Sequence, residues 1–370
     1  MIESSDQLEA SELRLSWHGW LVVVAMVVIT LFLFPMAWAT FEGFSPEPDY
    51  RVPYPMSCDY WMYQRWCENS VRNYQYLVLG DSVVWGQYVK PDQTLTHHLN
   101  ALATEEAFAN LGLDGLHPIA MAGLVKHYAS DITNKPVLLH LNPLWMSSKK
   151  HDLQLEEEFR FNHPRLVPQI RPDIASYNPA FSQIASVLAE RTIPFFAWKS
   201  HVRMAWFENM SIQDWTIEQP YKNPLAAITL DLPVPDNEPK SAPIDWKQRG
   251  ISQQDFPWVE VHTSIQWASY KSVLETLFRR QNHVFVVLGP LNPYILTEKS
   301  KARYNKLLAE IDRWLIENKI PSLLVQELPS PYYADASHPL REGYEHIAVQ
   351  LYSSKSFQIW MSGAERTYAK

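Results

Sequence analysis

Residues Leu21 to Ala39 form a run of apolar side chains interrupted only by Thr30 and Pro35. The run matches the ~20 residues that cross a bilayer as a helix, where every backbone group must find its partner inside the segment. Trp17, Trp20 and Trp38 stand at its two ends, the positions that interfacial aromatics occupy. A cleaved signal peptide is the rival reading, because Ala37-Trp38-Ala39 has the small-x-small form of a cleavage site. The preceding residues speak against it. They carry Glu3, Asp6, Glu9 and Glu12 against Arg14, which is no basic leader. An uncleaved single-pass anchor is therefore expected. The flanking charges, Arg14 and Arg51, barely differ across the span. The expectation that the chain sits in the cell (inner) membrane and faces the periplasmic, extracytoplasmic side rests on the large domain that follows the anchor.

This divides the chain into a short polar tail (1–20), the anchor (21–39), a Pro- and aromatic-rich stalk (40–74) and one large domain (75–370). The two cysteines, Cys58 and Cys67, both fall in the stalk. A close pair with none elsewhere suits a disulfide in an oxidising compartment, and two unpaired thiols are the alternative. Hydrophobic residues make up 46% of the chain and charged residues 19%, which permits a large core. The net charge of −8 gives no electrostatic reason to bind nucleic acid. No Gly-rich phosphate loop and no zinc-type Cys/His spacing occurs, so no cofactor and no metal is expected. His97-His98 reads as helix surface, and Glu156-Glu157-Glu158 as a solvated face.

Within the domain, short apolar runs alternate with amphipathic stretches. Tyr76–Leu79, Ala107–Leu111, Val137–Leu141, His283–Leu288 and Leu323–Val325 read as buried strands. Helical spacing marks the stretches that begin near Asp92, run from Ile119 to Tyr128, carry Tyr270 to Leu277, carry Tyr304 to Leu315, and carry Tyr344 to Leu351. Strands alternating with helices predict a parallel sheet covered on both faces. Residues of about 146–262, rich in Pro and Trp, break the rhythm and read as a large insertion, with a second small domain as the lesser alternative. Its Trp198, Trp206, Trp215, Trp246 and Trp258 read as packing or as a platform for sugar rings.

Ligands of such sheets sit beyond the carboxyl ends of the strands, and reactive residues cluster there. Ser82 follows the first strand in Leu79-Gly80-Asp81-Ser82-Val83, where a strand-to-helix turn exposes a hydroxyl, although Asp and Ser also serve as plain helix caps. Asp335-Ala336-Ser337-His338-Pro339 follows the fifth strand. A serine nucleophile needs a base, and the base needs an orienting carboxylate; Asp335 and His338 offer both. Oxyanion donors are available after the second strand, in Asn110-Leu111-Gly112-Leu113-Asp114-Gly115, and after the third, at Asn142.

These four blocks, in this order, resemble the SGNH (GDSL-like) hydrolase superfamily over about residues 75–145 and 263–355. The resemblance implies a flavodoxin-like three-layer α/β/α fold. It implies that Ser82 is the nucleophile and that Asp335 and His338 complete the triad. The oxyanion hole would comprise the Ser82 N–H, Gly115 (with Gly112 its neighbouring candidate) and Asn142. Pro143 follows Asn142 where relatives carry Asp, and Val83 stands where many carry Leu. The implied activity is that of a serine esterase or O-acyltransferase, with O-acetyl groups on an extracytoplasmic glycan as the expected substrate and a multi-span membrane acyltransferase as a partner by analogy. A membrane-lipid esterase or thioesterase is the second expectation. A catalytically silent scaffold of an acylation machinery is the third.

Overall fold

The computed structural model describes residues 15–156, 162–170, 172, 174–232 and 237–363. The acidic tail before Leu15, and Glu157 and Glu158, lie outside the described residues. Five strands, β1 (Tyr76–Leu79), β2 (Phe108–Asn110), β3 (Pro136–Leu141), β4 (His283–Leu288) and β5 (Ser322–Leu324), form one parallel sheet in the order β2-β1-β3-β4-β5. The strands β1 and β3 are buried on both faces, which explains their unbroken apolar runs. β5 is short and partly exposed, as suits a sheet edge.

The α-helices among the described residues are α1 (Trp17–Phe41), α2 (Tyr60–Asn73), α3 (Ser82–Trp85), α4 (Leu95–Ala103), α5 (Pro118–His127), α6 (Phe181–Thr192), α7 (Pro194–Trp206), α8 (Ile212–Glu218), α9 (Pro224–Ala227), α10 (Ile265–Arg279), α11 (Glu298–Glu317), α12 (Arg341–Ser353) and α13 (Lys355–Ser362). Right-handed crossovers place α4 on one face of the sheet and α5, α10 and α11 on the other. Accordingly, α5 packs on α10, and α12 packs on α4. Chain direction reverses between β1, which leads outward to β2, and β3, which leads to β4. The carboxyl ends of β1 and β3 thus flank the crevice where such sheets bind ligands.

α1 is 25 residues long with a mean hydropathy of 2.6, enough in length and composition to cross a membrane, and only 6% of its apolar window is buried. A π turn at Ile29–Leu33 precedes Pro35.

The segment expected as a stalk is folded into the domain. Tyr50, Val52, Met56, Met62, Tyr63 and Trp66 are buried in the main core. Trp66 Nε1 donates to the Asn110 carbonyl (2.8 Å) and Tyr63 Oη to that of Leu111 (3.1 Å), so α2 runs along β2. Prolines and aromatics that read as a spacer are here buried side chains. The expected disulfide is absent as well, for Cys58 and Cys67 are free thiols. Cys67 lies about 10 Å along α2 from its first residue, at 1.5 Å per residue, and Cys58 precedes the helix. Bridged cysteines need Cα atoms within about 7 Å.

The insertion between β3 and β4 contributes to the main core and to a cluster of its own. Trp246 and Trp258 belong to the main core, while Val202, Phe207 and Trp215 form a satellite cluster with Trp38, Trp198 and Trp206. All five tryptophans of the insertion are thereby taken up in packing.

Candidate active site

Gly80, at the end of β1, turns the chain into α3. A Cβ there would lie 2.3 Å from Val84 Cγ2 and 2.9 Å from His140 Cβ, so only glycine permits the turn. Asp81 caps α3 by accepting from Val83 N–H (3.0 Å), and Ser82 becomes the first helical residue. Its N–H has no acceptor inside so short a turn. Arg51 braces the far end from below. It is buried, its guanidinium donates to the carbonyls of Trp85 (2.8 Å) and Val89 (3.0 Å), and it lies 4.2 Å from the centre of the Trp85 ring.

The loop after β5 brings Asp335 and His338 onto this turn. His338 Nε2 is 2.8 Å from Ser82 Oγ, and His338 Nδ1 is 2.9 Å from both carboxylate oxygens of Asp335. A carboxylate only accepts, so Nδ1 carries the proton and Nε2 is left to accept the serine hydroxyl. Asp335 also accepts from the backbone N–H groups of Ser337 and His338 (both 2.9 Å) and from Tyr88 Oη (3.0 Å). Burial favours a neutral imidazole, yet the charge and hydrogen bond of Asp335 raise the His338 pKa above its ordinary value. Burial works against the Asp335 carboxylate too, and His338 with the two backbone donors holds its pKa far below the usual range.

Behind the serine lies a second buried network. Asp81 Oδ2 accepts from Asn142 Nδ2 (2.8 Å) and Trp145 Nε1 (2.9 Å). His140 Nδ1 stands 3.3 Å from Asp81 Oδ1, an ion-pair contact off the hydrogen-bond line, while its Nε2 donates to the Gly289 carbonyl (2.9 Å). Desolvation would raise the Asp81 pKa; the proximity of His140, then of Asn142 and His338, brings it down to about 2.

The oxyanion candidates separate. Gly115 has φ +71, and a Cβ on it would meet Asn162 Nδ2 at 2.3 Å, so the position requires glycine twice over. Its loop is fixed to the nucleophile turn, since Leu113 N–H donates to the Gly80 carbonyl (3.2 Å) and a Cβ on Gly112 would meet Trp85 N at 2.5 Å. Gly112 N–H is spent on Asn110 Oδ1 (3.0 Å), so it is not held ready for an oxyanion. The Asn142 amide is directed at Asp81 and at Ser337 Oγ (3.2 Å) rather than held in reserve.

Three participants carry no signal in the sequence: Tyr88, Trp145 and Arg51 are generic donors whose meaning comes from the fold. The insertion supplies the rim. Lys240 pairs with Asp114 (2.8 Å) and lies 3.7 Å from the centre of the Tyr54 ring, and the Arg249 guanidinium lies 4.3 Å from the centre of the Tyr88 ring. Among the described residues, no group of His, Cys, Asp and Glu side chains is arranged to hold a metal ion. No known family model matches the chain, and no curated protein matches it in sequence.

Proposed function

We propose that the chain is a membrane-anchored serine esterase or O-acyltransferase of the SGNH-like class, acting on O-acyl groups of an extracytoplasmic glycan. The observation that carries this reading is the linear relay of Ser82 Oγ, His338 and Asp335, with 2.8 Å and 2.9 Å links. It sits at the crevice between β1 and β3, where a parallel sheet of this order binds ligands. Ser82 Oγ attacks the ester carbonyl while His338 Nε2 takes its proton. The tetrahedral oxyanion lies against the N–H groups of Ser82 and Gly115, and Asn142 joins only by exchanging its Ser337 contact for the oxyanion. Collapse expels the alkoxide, which takes the proton back from His338. Water or a sugar hydroxyl, deprotonated by His338, then releases the acyl group.

A fluorophosphonate probe should label Ser82. Ser82→Ala should abolish the label and lower turnover of a 4-nitrophenyl ester by ~10⁴-fold or more, as triad losses do. Turnover unchanged in that variant would overturn the assignment.

One observation favours a second reading, a lipid-directed esterase. The anchor enters the domain with no spacer, since Trp38 Nε1 donates to Glu42 Oε1 (2.9 Å) and Glu42 is paired with the buried His201 (2.9 Å). The domain is therefore held close to the end of the anchor. With Cys58 and Cys67 unbonded, no disulfide supports an oxidising compartment, and the outward orientation rests on the order of anchor and domain alone.

A further inference from the structure

The α6–α7 hairpin lies against the anchor well before the anchor leaves its apolar stretch. At 1.5 Å per residue, the 25-residue α1 is about 37 Å long, whereas the hydrocarbon layer is about 30 Å thick. The apolar layer then ends near Ala37 and Trp38. Phe34 lies roughly one turn inside that limit, and the π turn Ile29–Leu33 lies deeper.

α7 reaches to that depth. It packs along the π turn. The Trp198 ring meets Phe34 edge-on at 5.0 Å and Trp38 at 5.3 Å, and Trp206, two turns later, meets Trp38 at 6.1 Å. Further out, His201 bonds to Glu42. α7 thus runs parallel to α1, with its first turn the deepest part, and Pro194 and Ala197 line the same cleft as Pro35 and Met36.

The chemistry of that turn fits its depth. Ile193-Pro194-Phe195-Phe196-Ala197-Trp198 carries no charged group and no hydroxyl. Phe196 is 37% exposed and Leu188, on α6, is 39% exposed, so apolar surface is left uncovered by the domain. Two of the backbone donors at the tip find acceptors and a third is absent. Ile193 N–H reaches the Ala189 carbonyl (2.8 Å), Phe196 N–H reaches that of Ile193 (3.1 Å), and Pro194 has no N–H to satisfy. Lys199, exposed just after the apolar tip, is placed for the headgroup layer, whereas Arg191 before it is bound to the Val167 carbonyl (3.1 Å).

We infer that the tip of the α6–α7 hairpin is seated in the bilayer beside the anchor, as a second, monotopic membrane contact that fixes the tilt of the domain. The inference rests on α1 being a membrane anchor. The occupant of the exposed face is lipid, because the helix that defines the bilayer passes directly alongside it.

The test uses the full chain in phosphatidylcholine vesicles, with Cys58→Ser to remove the exposed thiol. An environment-sensitive NBD label is placed at Phe196→Cys, at Val24→Cys in mid-anchor, or at Glu317→Cys on α11, beyond the far edge of the sheet. Replacing part of the lipid by acyl-brominated phosphatidylcholine should quench the label at 196 as it does at 24, with blue-shifted emission, and leave 317 unchanged. Quenching at 24 but not at 196 overturns the hairpin contact and keeps the anchor. Quenching at neither overturns the anchor reading itself. Equal quenching at 317 would mean that the whole domain lies on lipid, and would overturn a contact particular to the hairpin.

Discussion

The properties of the site at residue scale follow from competition between burial and one carboxylate. His338 acts as base only when neutral, and Asp335 raises its pKa above the ordinary 6.5. Activity should therefore rise with pH through that raised value, with the acid limb of the kcat/KM profile above 6.5, measured with a neutral ester. A limb below 6.5 would contradict the relay. Tyr88 is a positioning residue, for it donates to Asp335 and packs edge-on against the His338 ring at 5.3 Å. Tyr88→Phe removes one donor to the carboxylate, so the limb should move to higher pH and kcat/KM should fall about 10-fold, the scale of a hydrogen bond to a charged group. An unchanged profile would reduce Tyr88 to packing. That Ser82, Asp335 and His338 come together could be read from the sequence, because a serine, a histidine and a carboxylate at strand ends are restricted choices. Asn142 was legible as a site residue, but not its commitment to Asp81 and Ser337. Tyr88, Trp145 and Arg51 were not legible at all, because each acts through an approach between segments distant in sequence.

At the scale of elements, the strands declared themselves through unbroken apolar runs, to within a residue or two at each end. Residues 50–73 did not, because proline- and aromatic-rich composition describes a linker and a buried cap equally well. What joins this segment to the anchor is a buried charge cluster. His201 stands between Asp59 (2.6 Å) and Glu42 (2.9 Å), and Arg65 pairs with Glu42 and donates to the Ala39 carbonyl (3.1 Å). Burial disfavours the charged imidazole, but Asp59 and Glu42 outweigh it and raise the pKa to about 9. A raised folded-state pKa means stability that is fully present below about 6.5 and lost as pH rises through about 9. The shift sets an upper bound of about 3 kcal/mol. Thermal unfolding of the full chain in detergent, followed by near-UV circular dichroism, should show wild type losing more stability between pH 7 and pH 10 than His201→Gln. Parallel pH profiles for the two would rule out the charged histidine.

For the whole molecule, the proposed function turns on what would resolve an acyl-enzyme on Ser82. Triad chemistry allows water or an alcohol. Water is present at ~55 M, so transfer prevails only where an acceptor is bound with a large effective molarity. An aromatic platform built from the insertion would supply that binding. The structure instead spends Trp215, Trp246 and Trp258 on buried packing and sets Trp198 and Trp206 against the anchor. What the insertion brings beside the site is Lys240, paired with Asp114 and over the Tyr54 ring, and Arg249, which donates to the Ile244 carbonyl (3.2 Å) and lies over the Tyr88 ring. Such a rim guides a substrate without stacking a sugar. Hydrolysis is therefore the expected outcome. With an acetylated oligosaccharide supplied alone, mass spectrometry should show loss of acetyl groups at a rate that Ser82→Ala abolishes. Adding an unacetylated acceptor glycan in excess should leave that rate unchanged and the acceptor unmodified. Acetyl groups appearing on the acceptor, in proportion to their loss from the donor, would establish transfer and would require an acceptor site that the packed tryptophans do not provide.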